Sequence, residues 1–207
     1  PRKDEHRVLN NDRELLLSWA ELLGRPLGAE FRHIQSVHHV NALRKILDDG
    51  DKIALLLQPD PDPDGLASAL ALRSVLGRNK LSTPIVSFGK VTRPENLAMM
   101  RLLDIEVSRV NKEDLNSFDR IVMLDTQPAH FGSYVNRVDA VIDHHPESGQ
   151  YDISYVDIRP SYGATSTILT EYLNAAAVSI GQRLATALLY GIKADTLHLN
   201  RGVIDAD

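Results

Sequence analysis

Three apolar runs, each closed by acidic residues, constrain what this chain can fold into. Ile53–Leu57 runs into QPDPDPDG, which supplies Asp60, Asp62 and Asp64. Ile121–Leu124 runs into Asp125-Thr126, and Val138–Ile142 runs into Asp143-His144-His145. A short continuous apolar run suits a strand buried on both faces, as in a parallel sheet. Helical periodicity follows at Leu66–Leu76, then a strand near Ile85–Phe88 and a helix over Pro94–Leu103. Tyr151–Val156 reads as a further strand, and Ala164–Asn174 and Gly181–Leu197 as closing helices. This alternation predicts an α/β fold: a Rossmann-like three-layer domain with a mainly parallel sheet of about five strands, helices on both faces and an N-terminal helical segment.

That segment, residues 1–50, is expected to be a helical piece or linker ahead of a domain at 51–207. Leu15, Leu16, Trp19, Ala20 and Leu23 repeat with a period near 3.6, which predicts a helix over Asn11–Leu23 packed outside the sheet. Gly24 and Pro26 end it, and a second helix runs from about Val37 to Leu47. His38 and His39 are adjacent, so they point in different directions on a helix and read as surface or linker residues.

With 43% hydrophobic residues among 207, the chain can bury a sizeable core. It has no cysteine, which excludes disulfides and Cys-based zinc sites. No apolar run approaches the ~18 residues of a membrane span, and the polar start PRKDEHRVLNNDREL is no secretory signal. The expected location is cytoplasmic, with no membrane partner. Net charge is −5 without a Lys/Arg run, so any nucleic acid must be held by local features. The chain opens on Pro1 and closes on NRGVIDAD, and is read as part of a longer protein with flanking domains missing on both sides.

In open parallel sheets, ligands bind beyond the carboxyl ends of the strands. The three acidic clusters therefore converge on one sheet edge. A single strand-end Asp often only caps the next helix; three such clusters, one followed by two histidines, point to a site. Crowded carboxylates raise each other's pKa unless cations neutralise them. Carboxylates with one or two imidazoles suit manganese or magnesium better than zinc or copper. Two such ions bridged by one carboxylate can polarise a phosphate and activate water. No P-loop, GxSxG elbow or GxGxxG fingerprint occurs.

Five stretches, in order, resemble the DHH phosphoesterase family: DPDGLASALAL at 62–72, MLDTQ at 123–127, VIDHHP at 141–146, YGATSTILTEYL at 162–173 and LLYGIKADT at 188–196. The last three resemble its oligoribonuclease/pAp phosphatase branch within the wider RecJ-like group. The resemblance implies a catalytic domain at 51–207 that binds two Mn2+ ions, with Mg2+ an alternative. It implies Asp62 as a ligand of the first metal, Asp64, His144 and Asp195 as ligands of the second, and Asp125 as the bridge. His145 resembles the residue that contacts the substrate phosphate, and Asp143 is expected to orient a histidine. Asp125, His145 and Asp143 are thus the catalytic candidates. The family usually places a His where this chain has Gln58, so the first site is expected to be weaker, to use Asp60 or a water, or to have lost function. His198, three residues after Asp195 on the same helix face, is a further candidate substitute, although it reads better as a surface or packing histidine.

Gly163, Thr165 and Ser166 open a helix whose N–H groups and hydroxyls suit a phosphate, although Thr165 equally suits a helix cap. Arg93 and Arg159 lie in loops of the same region and read either as phosphate contacts or as solvated surface. The resemblance implies hydrolysis of short single-stranded oligonucleotides or nucleotide phosphates such as pAp or cyclic and linear dinucleotides. A pyrophosphatase or exopolyphosphatase, and a degenerate nucleotide-binding regulatory domain, are the alternatives. A homodimer is compatible with the sequence. The small glycine-rich C-terminal substrate domain of the family does not appear in it.

Overall fold

The computed structural model describes residues 5–10, 13–18 and 27–201. Strands β1 (Glu5–Asn10) and β2 (Arg13–Ser18) pair antiparallel in a two-stranded sheet of their own. Residues 13–18 are therefore a strand, where helical periodicity predicted part of an Asn11–Leu23 helix; the rest of that helix at 11–12 and 19–23 lies outside the described residues. The run Leu15-Leu16-Leu17 satisfies either period, and strand pairing decided between them.

The main sheet has six strands: β3 (Ile53–Leu57), β4 (Ile85–Ser87), β5 (Val107–Arg109), β6 (Arg120–Leu124), β7 (Ala140–Asp143) and β8 (Tyr155–Ile158). Their order is β5-β4-β3-β6-β7-β8 and every pairing is parallel. The chain builds leftward from β3 to β5, then returns to build rightward from β6. The point where the order reverses, between β3 and β6, is where open α/β sheets bind ligands. The sixth strand, β5, was missed: its three residues are partly exposed and form no apolar run.

Five α-helices accompany the sheet: α1 (Leu27–Leu47), α2 (Pro63–Val75), α3 (Pro94–Leu102), α4 (Thr165–Ala175) and α5 (Gln182–Asp195). Side chains alternate along β3. Ile53, Leu55 and Leu57 enter a core shared with buried residues of all five helices, while Ala54 and Leu56 enter the opposite one. That second core is closed by 3₁₀ turns at Asp114–Ser117 and Pro128–Tyr134, through Leu115 and Phe131. The helix predicted to start near Val37 begins ten residues earlier. Its Val40, Leu43 and Leu47 are buried in the larger core, and α1 packs on α4. His39, read as surface or linker, lies 2.9 Å from the Tyr155 hydroxyl. No helix among the described residues is long and apolar enough to cross a membrane.

Candidate metal centre

Each strand end delivers its carboxylate by a local device. Pro63 opens α2, and Asp62 caps it, accepting a hydrogen bond from Gly65 N at 3.0 Å. Asp64 follows in the first turn and is fully buried. Asp125 leaves β6 at φ 57, a left-handed conformation that Asp tolerates better than most residues. That turn points its carboxylate back over the sheet edge. Asp143 ends β7, and Asp195 ends α5.

Four of these groups meet. Asp64, Asp125, His144 and Asp195 each offer a ligand atom, and the four atoms lie within 4.8 Å of one another. His144 Nε2 is 3.0 Å from Asp195, 3.6 Å from Asp125 and 3.9 Å from Asp64. Asp125, His144 and His145 form a second, overlapping group. The approach of α5 depends on Gly191, one turn before Asp195. A Cβ there would sit 2.7 Å from Ser166 Oγ and 3.1 Å from Asp64 Cα.

The electrostatics are those of a site built for positive charge. Burial raises Asp64 to about 6, helped by Asp195. Burial raises Asp125 well above the usual carboxylate range, helped by Asp64 and Asp62. For His144 burial opposes the charge, but Asp195 and Asp64 outweigh it and push the imidazole to about 9. Two buried atoms face this cluster without any hydrogen bond, Asp125 Oδ2 and His144 Nε2; the 3.0 Å contact to Asp195 is too poorly aligned to serve as one. A buried polar pair left unpaired is costly, and a divalent cation that takes the place of the Nε2 proton satisfies both. The donor set of three carboxylates and one imidazole fits manganese or magnesium.

The first turn of α4, set against the first turn of α2, explains how Asp64 stays in place. Thr165 N and Ser166 N donate to its two oxygens at 2.7 and 2.8 Å, and Thr165 Oγ1 donates to Asp125 Oδ1 at 3.0 Å. The helix N-terminus that the sequence offered to a phosphate is thus occupied by the protein's own carboxylate. Gly163 is buried beside it.

The Asp143-His144-His145 triplet sits at the end of β7, in the middle of these groups. The sequence profile of the DHH family, N-terminal domain, matches residues 52–192. This chain belongs to the DHH family. It is 36% identical over 150 residues to an uncharacterized protein of Methanocaldococcus jannaschii, covering 72% of this chain and 31% of that protein. It is 28% identical to a protein of Lactobacillus acidophilus named as a probable manganese-dependent inorganic pyrophosphatase, covering 68% of this chain and 46% of the other. The chain thus spans less than half the length of these relatives. In fold it is similar to an exopolyphosphatase-related protein of Bacteroides fragilis, with a TM-score of 0.61 and 18% identity over 80% of this chain and 52% of that one.

Within the DHH domain the remaining sequence candidates separate clearly. His145 Nδ1 lies 2.8 Å from Asp143 Oδ1, and that contact raises the imidazole's pKa. Burial pushes Asp143 up, but hydrogen bonds from His145 and Gln127 outweigh it and hold the carboxyl low. Gln58 Nε2 donates to Asp62 Oδ2 at 3.2 Å, so the two share one edge of the site, outside both four-atom and three-atom groups. Asp60 does not replace the missing histidine: its carboxylate accepts from Thr92 N and Oγ1, both at 2.7 Å. His198 is exposed and lies beyond the end of α5, not on its face, because the helix stops at Asp195. Arg93 is more than half exposed, 3.8 Å from Asp60. Arg159 is neither solvated nor free to take a phosphate; it pairs with Asp157 at 2.8 Å and Glu171 at 2.7 Å.

Sequence reasoning gave no role to Gln127. It is fully buried, donates to Asp143 Oδ2 at 2.7 Å, and accepts from Ser148 and Tyr151 through Oε1. A polar residue two positions after Asp125, inside a matched motif, was the available signal.

Proposed function

We propose that this domain is a divalent-metal-dependent hydrolase of phosphoester or phosphoanhydride bonds, acting on nucleotide phosphates or short oligonucleotides. The observation that carries the reading is the pair of buried, unpartnered atoms, Asp125 Oδ2 and His144 Nε2, beside Asp64 and Asp195. Those four residues would hold one Mn2+ or Mg2+ ion, and Asp62 together with Asp125 would hold a second. Bound ions supply charge neutralisation, polarisation of a phosphoryl oxygen and a lowered pKa for bound water.

The protein's own groups do the rest. Asp143 holds His145 by Nδ1, which leaves Nε2 of a ring whose side chain is 45% exposed to face a phosphate oxygen. A protonated His145 neutralises charge developing there. Gln127 fixes Asp143, and Thr165 fixes Asp125, so the acceptors are preorganised. The resemblance of the last three motifs to the pAp phosphatase branch supports the nucleotide substrate. The name of the Lactobacillus acidophilus relative favours a second reading, inorganic pyrophosphate.

The test is turnover of pAp, a short oligonucleotide and pyrophosphate with Mn2+ and with chelator. Mn2+-dependent release of phosphate or mononucleotide from the nucleotides is expected. Turnover of pyrophosphate alone would move the substrate to the second reading. Metal-independent turnover would sink the metal-dependent mechanism, and absent turnover on all three would sink the enzyme reading and leave a nucleotide-binding regulatory domain.

A further inference from the structure

A partly buried polar cluster lies behind the metal centre, among α1, β8 and α4. Arg159 donates through Nε and Nη2 to Asp157 and through Nη1 to Glu171 and the Tyr162 hydroxyl. Tyr162 donates its hydroxyl to Glu171 at 3.1 Å, and the Arg159 guanidinium stands 5.1 Å from the Tyr162 ring centroid. Asp157 also accepts from Tyr172, which is hydrogen-bonded in turn to Tyr155. Helix α1 closes the cluster. Ser36, fully buried, donates to Glu171 at 3.2 Å, and Arg32 lies 3.6 Å from the same carboxylate.

Two main-chain links join this cluster to the metal centre. The Tyr162 carbonyl lies 3.2 Å from His144 Nδ1, and Arg159 N donates to the Asp143 carbonyl at 2.9 Å. A carbonyl only accepts, so Nδ1 must carry the proton. Nε2, the buried atom facing Asp64, Asp125 and Asp195, is then the nitrogen that a metal would take in place of its proton. We infer that the Arg159–Glu171–Tyr162 cluster, braced by Ser36 of α1, is a positioning device that fixes the ring orientation and tautomer of His144. Helix α1 precedes the segment matched by the family profile, so this brace belongs to the chain's own N-terminal helix and not to the matched domain. A carbonyl partner behind a metal-binding histidine raises its affinity, and loss of such partners typically costs about 10- to 100-fold.

The inference rests on the reading of His144 as a metal ligand, and the test separates the two. Mn2+ binding to the metal-stripped chain is measured by calorimetry for the wild type, Tyr162→Phe, Glu171→Gln and Ser36→Ala, alongside near-UV circular dichroism without metal. Tyr162→Phe keeps the ring, its contact with the Arg159 guanidinium and the carbonyl, but removes the hydroxyl's hydrogen bonds to Glu171 and Arg159. It and Glu171→Gln are expected to raise the Kd about tenfold, and Ser36→Ala to raise it by less, all with the native dichroism retained. Unchanged Kd values would overturn the positioning role. A weakened Kd accompanied by loss of the dichroism would do the same, since the cluster would then only support packing. If either cluster variant fails to fold, Ser36→Ala decides alone. A wild-type chain that binds no Mn2+ would overturn the metal-centre reading and this inference with it.

Discussion

The two sides of the candidate centre are built differently. On one side Asp64, Asp125, His144 and Asp195 are drawn together by three helices and two strand ends, with Asp64 held by two backbone N–H groups. On the other, Asp62 spends one oxygen on capping α2 and the other on Gln58, whose amide donates where an imidazole would offer a lone pair. The first side is costly to leave without a cation, because charge is buried against charge. The second is content without one. One ion position is therefore prepared by the fold itself, and the other depends on rearranging Gln58 and Asp62.

The largest way to break this contrast is Asp125→Ala. It removes the carboxylate that both groups share, and Mn2+-dependent turnover is expected to fall more than a hundredfold; substantial residual turnover would rule out a shared role. Thr165→Val keeps shape but removes a hydrogen bond to a buried carboxylate, about 1.5–3 kcal/mol. It should weaken Mn2+ binding by about tenfold or more, read by calorimetry, and equal affinity would show that Asp125 needs no such support.

Stability against pH sharpens the same side. Asp64 is raised to about 6, so its neutral form stabilises the metal-free fold at low pH, and that contribution is lost as pH rises from about 4 through 6. His144 is raised to about 9, so its contribution is complete below about 6.5 and is lost as pH rises through 9. Thermal midpoints of the metal-free chain should fall by about 5 °C or more between pH 6.5 and 9.5. A midpoint that rises over that window would contradict the placement of His144 among carboxylates. The smallest effect concerns the other side: Gln58→His should lower the Mn2+ concentration needed for half-maximal activity by about tenfold or less, with little change for Mg2+. An unchanged titration would place Gln58 away from the metal.

What the sequence disclosed followed from local pattern. The apolar runs at β3, β6 and β7 announced their strands, and the acidic residues that ended them announced the sheet edge. What stayed hidden depended on contacts distant in sequence. Thr165 and Ser166 read as a phosphate cradle because their partner, Asp64, lies about a hundred residues earlier. Arg159 read as a loop arginine because Glu171 becomes its partner only when α4 packs beside β8, although its other partner, Asp157, is local. β5 escaped notice because a three-residue edge strand leaves no periodicity to detect, and residues 13–18 because three consecutive leucines fit both periods.

The central claim is that this fold prepares one cation position far better than its neighbour. Its most direct test is a stoichiometric Mn2+ titration of the metal-stripped chain at neutral pH, followed by electron paramagnetic resonance of free Mn2+ and repeated with His144→Ala. The account predicts one tight class of site, lost in His144→Ala, and a second weaker by at least about tenfold. Two sites of equal affinity, or a tight site that survives the loss of His144, would contradict it.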